Sequence, residues 1–111
     1  QVGEVRYLGA KIEGDSDLAL KLLDSLKSKY NEKYVFLIVH QSDQSAGLVT
    51  VVSKDLVKKV SAGDLVRQHA PIIGAKGGGR PDMARAGGGN KLDAIPELIK
   101  RVKQTLKESV V

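Results

Sequence analysis

Residues 74–90 read Gly-Ala-Lys-Gly-Gly-Gly-Arg-Pro-Asp-Met-Ala-Arg-Ala-Gly-Gly-Gly-Asn, and no other segment restricts this chain as strongly. They include seven of the twelve glycines, three basic side chains and, apart from Met83, nothing bulky enough to build a core. Glycine loses more conformational freedom on folding than any other residue, so a run of it weakens the element that contains it. The main chain here is therefore needed either to bend through positive φ or to lie close against another molecule. Bare amide N–H groups flanked by Lys76, Arg80 and Arg85 suit an anion. Composition alone is equally compatible with a flexible surface loop.

The common nucleotide fingerprints are absent. Gly74 and Gly79 have P-loop spacing, but Arg80 and Pro81 follow where Lys and a hydroxyl-bearing residue are needed to hold phosphate and magnesium. Counting a dinucleotide pattern from Gly77 and Gly79 puts Asp82 at the third glycine position, and Pro81 and Asp82 interrupt any helix start there. The segment suits phosphate without a triphosphate or dinucleotide signature.

At 111 residues the chain is long enough for one core, so residues 1–111 are expected to form a single globular domain. It opens at Gln1 rather than methionine, as a piece cut from something larger would. No apolar run approaches the roughly 18 residues of a membrane span, and no charged-then-apolar leader is seen. The lack of cysteine excludes disulfides and thiolate metal sites and fits a cytoplasmic setting. The formal charge is +5, and twelve of the eighteen basic residues lie from Lys54 onward. That balance favours a polyanionic partner.

Hydrophobic periods give the architecture. Glu4 to Ile12 alternate as in a strand, with Leu8, Ala10 and Ile12 on one side and Val5 and Tyr7 on the other. Gly14-Asp15-Ser16 supplies a turn and cap, and Leu18, Leu22, Leu23, Leu26 and Tyr30 follow at helical spacing. Tyr34–Val39 reads as a strand covered on both faces, and Leu48–Val52 as a second strand joined to it through the polar loop Gln41–Gly47. A lysine-bearing turn, Lys54–Lys59, precedes a helix capped by Ser61, with Leu65, Val66, His69 and Ile73 inward and Pro71 kinking or ending it. The glycine segment is expected to be loop with a short edge strand at Met83–Ala86. Asp93 and Pro96 then open a last helix with the stripe Ile95, Leu98, Ile99, Val102 and Leu106. The expected fold is α/β (α+β), a mixed sheet with packed helices in the order β-α-β-β-α-(β)-α.

The ordered string Lys76–Ala84, KGGGRPDMA, with the second cluster Gly87–Gly89 and the C-terminal helix, resembles the end of bacterial alanyl-tRNA synthetases. It is similar to the globular part of their C-terminal (C-Ala) domain, a relative of the DHH-associated domain. Ser53–Leu56 through Ser61–Leu65 also resembles that family; roughly residues 48–105 match in style, and the earlier residues only in layout. The resemblance implies a DHH-associated-like fold and an RNA-binding module, non-catalytic by itself, that is a C-terminal fragment of a larger multidomain enzyme, an alanine–tRNA ligase. In that family the module docks tRNA near its outer corner and couples aminoacylation with editing. The implied partners are tRNA, alanine-specific in the full enzyme, and other domains of the same synthetase. A homodimer is left open.

Under this reading Gly77, Gly78 and Gly79 offer unobstructed main-chain N–H groups, the alternative being a tight turn only glycine can make. Lys76 and Arg80 flank them, and Arg80 can fork onto a phosphate or stack on a base. Asp82 is expected to cap a turn amide or hold Arg80, Met83 to fill core, and Arg85 to be a second phosphate contact. Lys54, Lys58 and Lys59 complete the expected RNA-binding set. Aromatic residues make up only 4% of the chain and form no stacking platform, so a folded RNA surface is expected rather than unstacked bases.

No catalytic constellation is visible. His40 and His69 read as core-edge residues, Asp43 near His40 makes no metal site, and GxSxG does not occur. No catalytic residue, metal or cofactor is expected. Two other readings stand: an oligomerisation or interdomain scaffold, and the substrate-holding half of a DHH-type phosphodiesterase. In the latter family a His follows the glycines, whereas here Arg80 does.

Overall fold

The computed structural model describes residues 5–43 and 45–110; the Glu4 expected to open the first strand lies outside the described residues, as does Gln44 in the expected hairpin loop. Strands β1 (Arg6–Glu13), β2 (Tyr34–Ser42), β3 (Ser45–Val52), β4 (Lys76–Gly79) and β5 (Met83–Gly89) form one sheet in the order β1-β2-β3-β5-β4. Helices α1 (Ser16–Lys29), α2 (Ala62–His69) and α3 (Ile95–Val110) pack on it, with 3-10 turns at Lys54–Leu56, Ala70–Ile73 and Leu92–Ala94. β1 runs parallel to β2 through the α1 crossover, and every other pairing is antiparallel. This is the mixed α/β sheet expected from the hydrophobic periods.

β2 lies between β1 and β3, and its residues Tyr34–Val39 are all buried. Val35, Leu37 and Val39 face one core with Leu48 of β3, Leu65 and Val66 of α2, and Ile95, Leu98, Val102 and Leu106 of α3. Phe36 and Ile38 face a smaller core on the opposite side, with Val49, Val51 and the Ala19 and Leu23 of α1. The Tyr7 hydroxyl donates to the Ile99 carbonyl at 2.9 Å, tying β1 to α3, and its burial raises its pKa. His69 joins α2 to α3 in the same way, with Nδ1 2.7 Å from the Leu65 carbonyl and Nε2 2.8 Å from Thr105 Oγ1.

Four details depart from the sequence reading. The glycine run is not loop: Lys76–Gly79 is the edge strand β4, and the expected edge strand is the longer β5, enclosed between β3 and β4. Strand pairing uses backbone groups alone, so a side-chain pattern carries no trace of β4. The polar hairpin loop contracts, since pairing extends to Ser42↔Ser45. Leu18 and Leu22 are exposed while Ala19 takes the inward position, because α1 is rotated to seat a small residue against the sheet. Asp93 lies within the 3-10 turn that leads into α3 rather than capping it.

The two faces are covered unequally. α2 and α3 together span the sheet on one side, whereas α1 lies over β2 and β3 on the other. The core beneath α1 takes only Met83 from β5 and nothing from β4. The β5–β4 half of that face is left to solvent.

Candidate nucleic-acid interface

The tip of the β4–β5 hairpin, Arg80–Asp82, is held by main-chain bonds on three sides. Arg80 N–H donates to the Met83 carbonyl at 2.9 Å, closing the turn. The Arg80 and Pro81 carbonyls accept from Gly63 N (3.1 Å) and Ala62 N (2.8 Å), and the Asp82 carbonyl accepts from Val52 N (2.9 Å). The first N–H groups of α2 are thus spent on the tip, and Ser61 Oγ accepts from Asp64 N. The result is a rigid tip whose side chains, not whose helix end, face outward. Arg80 is 74% exposed, with Nε 3.5 Å from Asp82 Oδ1, so Asp82 holds it as expected. Exposure and screening make that ion pair an orienting contact of small energetic weight.

The three consecutive glycines are not equivalent. A Cβ at Gly77 would collide with the Arg85 carbonyl and with Ala86, and at Gly79, whose φ is +158°, it would fall 2.7 Å from Ala84 Cα. These two have internal reasons to be glycine. Gly78 has none: the atoms nearest an added Cβ belong to the Arg67 side chain at 3.7 and 3.8 Å, an ordinary contact. Only there does the run present bare backbone that the fold itself does not demand.

The lysine turn sits beside the tip, because the end of β3 is bonded to Asp82 and its continuation to the start of β2. Ser53 N donates to the Tyr34 carbonyl at 3.0 Å, and Ser53 Oγ accepts from Tyr34 N at 3.1 Å. Both carboxylate oxygens of Asp55 accept from Lys33 N at 3.2 Å. The hydrogen bond from the Ser53 side chain, then that backbone contact, hold the Asp55 pKa below the ordinary carboxylate value. Lys54, Lys58 and Lys59 project from this anchored turn, all exposed.

The expected RNA-binding residues are therefore divided. Arg80 and Gly79 lie at one end of the sheet with Lys54, Lys58 and Lys59, whereas Lys76 starts β4 at the opposite end, paired with Gly87. Arg85 pairs with Gly78 midway along the hairpin. At Lys76's end the sheet also brings up His40, whose pKa burial pushes below the usual imidazole value, partly countered by Asp15. Sequence reasoning treated His40 only as a core-edge residue. It lies far from the glycine segment along the chain and has no motif around it.

Residues 4–108 match the DHHA1 domain family, and the chain belongs to that family. Within it, the chain is similar to the C-Ala domain of alanyl-tRNA synthetase from Aquifex aeolicus, with a TM-score of 0.87 and 29% identity over 96% of each chain. It is 45% identical to the alanine–tRNA ligase of Psychromonas ingrahamii over 91 residues, covering 81% of this chain and 10% of that one. It is 36% identical to the alanine–tRNA ligase of Staphylococcus epidermidis over 107 residues, covering 96% of this chain and 12% of that one. The chain thus spans about a tenth of the length of the curated relatives it matches. Among the described residues no helix is long and apolar enough to cross a membrane.

Proposed function

We propose that this chain is the tRNA-docking module of a cytoplasmic alanyl-tRNA synthetase, seating the outer corner of tRNA and coupling aminoacylation with editing while performing no chemistry itself. Its partners in this reading are tRNA and the other domains of the same synthetase. The observation that supports it is the juxtaposition of the rigid Arg80 tip with the anchored Lys54–Lys59 turn, both projecting at one end of the sheet. Such an array offers a forked guanidinium and three ammonium groups to phosphates, which fix position on a folded RNA without reading its sequence. Gly78 adds a strand position where only the flexible Arg67 side chain borders the backbone, a second guanidinium beside the main chain.

The test is tRNA binding by fluorescence anisotropy at two salt concentrations. The reading expects affinity to fall steeply with salt and to fall about tenfold further when Arg80 is replaced by alanine. Salt-independent binding, or an Arg80→Ala variant that binds as the parent does, would remove Arg80 from the interface.

A second reading, a self-associating or interdomain scaffold, is favoured by Leu8, Leu18 and Leu22, each 38–40% exposed on β1 and α1. It expects self-association in sedimentation velocity that persists at high salt, and a Leu22→Lys variant that stays monomeric.

A further inference from the structure

Opposite the hairpin tip, a pocket of about 400 Å³ opens on the α1 side of the sheet, lined by Ser16, His40, Lys76, Arg85, Ala86 and Gly87. It lies beside an irregularity in the sheet. Between the pairs Leu48↔Ala86 and Ala46↔Gly89, β3 contributes one residue, Gly47, and β5 contributes two, Gly87 and Gly88. Such a bulge re-aims the strand and leaves backbone groups outside the ladder. A Cβ at Gly47 would stand 2.6 Å from His40 Cε1, 2.8 Å from His40 Nε2 and 2.5 Å from the Ala86 carbonyl. The imidazole thus lies over Gly47 in the space a side chain would occupy, and the Ala86 carbonyl of β5 borders the same space.

Among the described residues, the cations lining this pocket are not spent on internal ion pairs. Arg67, Arg80 and Arg101 each pair with a carboxylate, and Arg6 lies over the Tyr30 ring. Among the described residues Arg85 alone of the arginines has no such partner. Lys76 forms no ion pair among them, and neither ring nitrogen of His40 is hydrogen-bonded, whereas both nitrogens of His69 are. Gly87 adds open backbone, since a Cβ there would meet nothing within 4 Å. Asp15 is the carboxylate that acts on His40, and its Oδ1 is engaged by Leu18 N at 3.1 Å as the cap of α1.

We propose that Lys76, Arg85 and His40, around the bare Gly87 backbone, form a phosphate-binding pocket that takes a backbone phosphodiester of the docked RNA, separate from the Arg80 tip. Arg85 supplies a fork, Lys76 a point charge and the imidazole a hydrogen-bond donor to one phosphate group. Absence of a side chain at Gly87 lets the sugar–phosphate chain lie against β5. The proposal rests on the RNA-docking reading for its partner but not for its site. A molecule engaged at both ends of the hairpin is held at two points, which fixes orientation as well as position.

The test is an amide chemical-shift titration of the full 111-residue chain with inorganic phosphate and, separately, with tRNA, on the parent and on Arg85→Ala and Gly87→Ala. Arg85 and Gly87 are exposed, so both variants are expected to keep the parent spectrum away from the pocket. The proposal expects both ligands to move the amides of Ser16, His40, Ala86 and Gly87, and Arg85→Ala to weaken tRNA binding about tenfold. Gly87→Ala is expected to weaken tRNA binding while leaving phosphate binding intact. Phosphate alone moving these amides would make this a small-anion site and overturn the RNA assignment. Shifts by tRNA confined to residues 54–59 and 78–82 would overturn the pocket and leave the tip reading standing. No response to tRNA anywhere would overturn both.

Discussion

Glycine serves opposite ends at different positions of this chain, and substitution by alanine separates them. At Gly63 an added Cβ would sit 2.6 Å from the Gly79 carbonyl oxygen, at the point where α2 bonds to the hairpin tip. Gly63→Ala must push helix from strand, and it is expected to destabilise the domain by about 1–3 kcal/mol, read as a lower denaturant midpoint. At Gly78 the same change meets only the flexible Arg67 side chain. Gly78→Ala is expected to stabilise the domain by about 0.5–1 kcal/mol, because alanine restricts the unfolded chain. The same variant is expected to bind tRNA more weakly if the strand surface is where RNA lies. A variant both more stable and equally tight in binding would leave Gly78 without a functional reason.

One carboxylate, beside the Ser53–Tyr34 bonds, anchors the element that presents the lysines. Asp55 accepts from Lys33 N and from the Ser53 side chain, so its folded pKa lies below the unfolded value. A depressed carboxylate pKa contributes stability that is present above the unfolded value, about 3.9, and is lost as pH falls through the folded one. The parent is therefore expected to lose part of its stability between about pH 5 and the acid limit. Asp55→Asn is expected to flatten that acid slope and to raise amide exchange across residues 53–59. An unchanged acid slope in the variant would show that other carboxylates carry it. The helices and inner strands around this turn were legible because each buries apolar side chains with a clear period: Val35, Leu37 and Val39 against Phe36 and Ile38, and Leu98, Val102 and Leu106 along α3. β4 was not legible, because Gly77–Gly79 have no side chains to alternate. The seating of α1 was misread for the opposite reason, since Leu18, Leu20, Leu22, Leu23 and Leu26 leave several faces apolar and only the packed sheet selects Ala19 and Leu23.

Across the described residues, α2 and α3 span one face of the sheet while α1 covers the other only in part, and the hairpin β4–β5 is what the partial cover exposes. Its glycine motif was readable as a family resemblance. The division of its cations between two ends was not, because sheet topology alone sets Lys54–Lys59 beside Arg80 and His40 beside Lys76. The most direct measurement is the anisotropy of this chain with full-length alanine tRNA and with its acceptor-arm minihelix, at two salt concentrations. The account predicts tighter, steeply salt-dependent binding to the full L shape, with that preference reduced by Arg80→Ala. Equal affinity for tRNA and minihelix would contradict docking at the outer corner, and no affinity for either would contradict the RNA interface altogether.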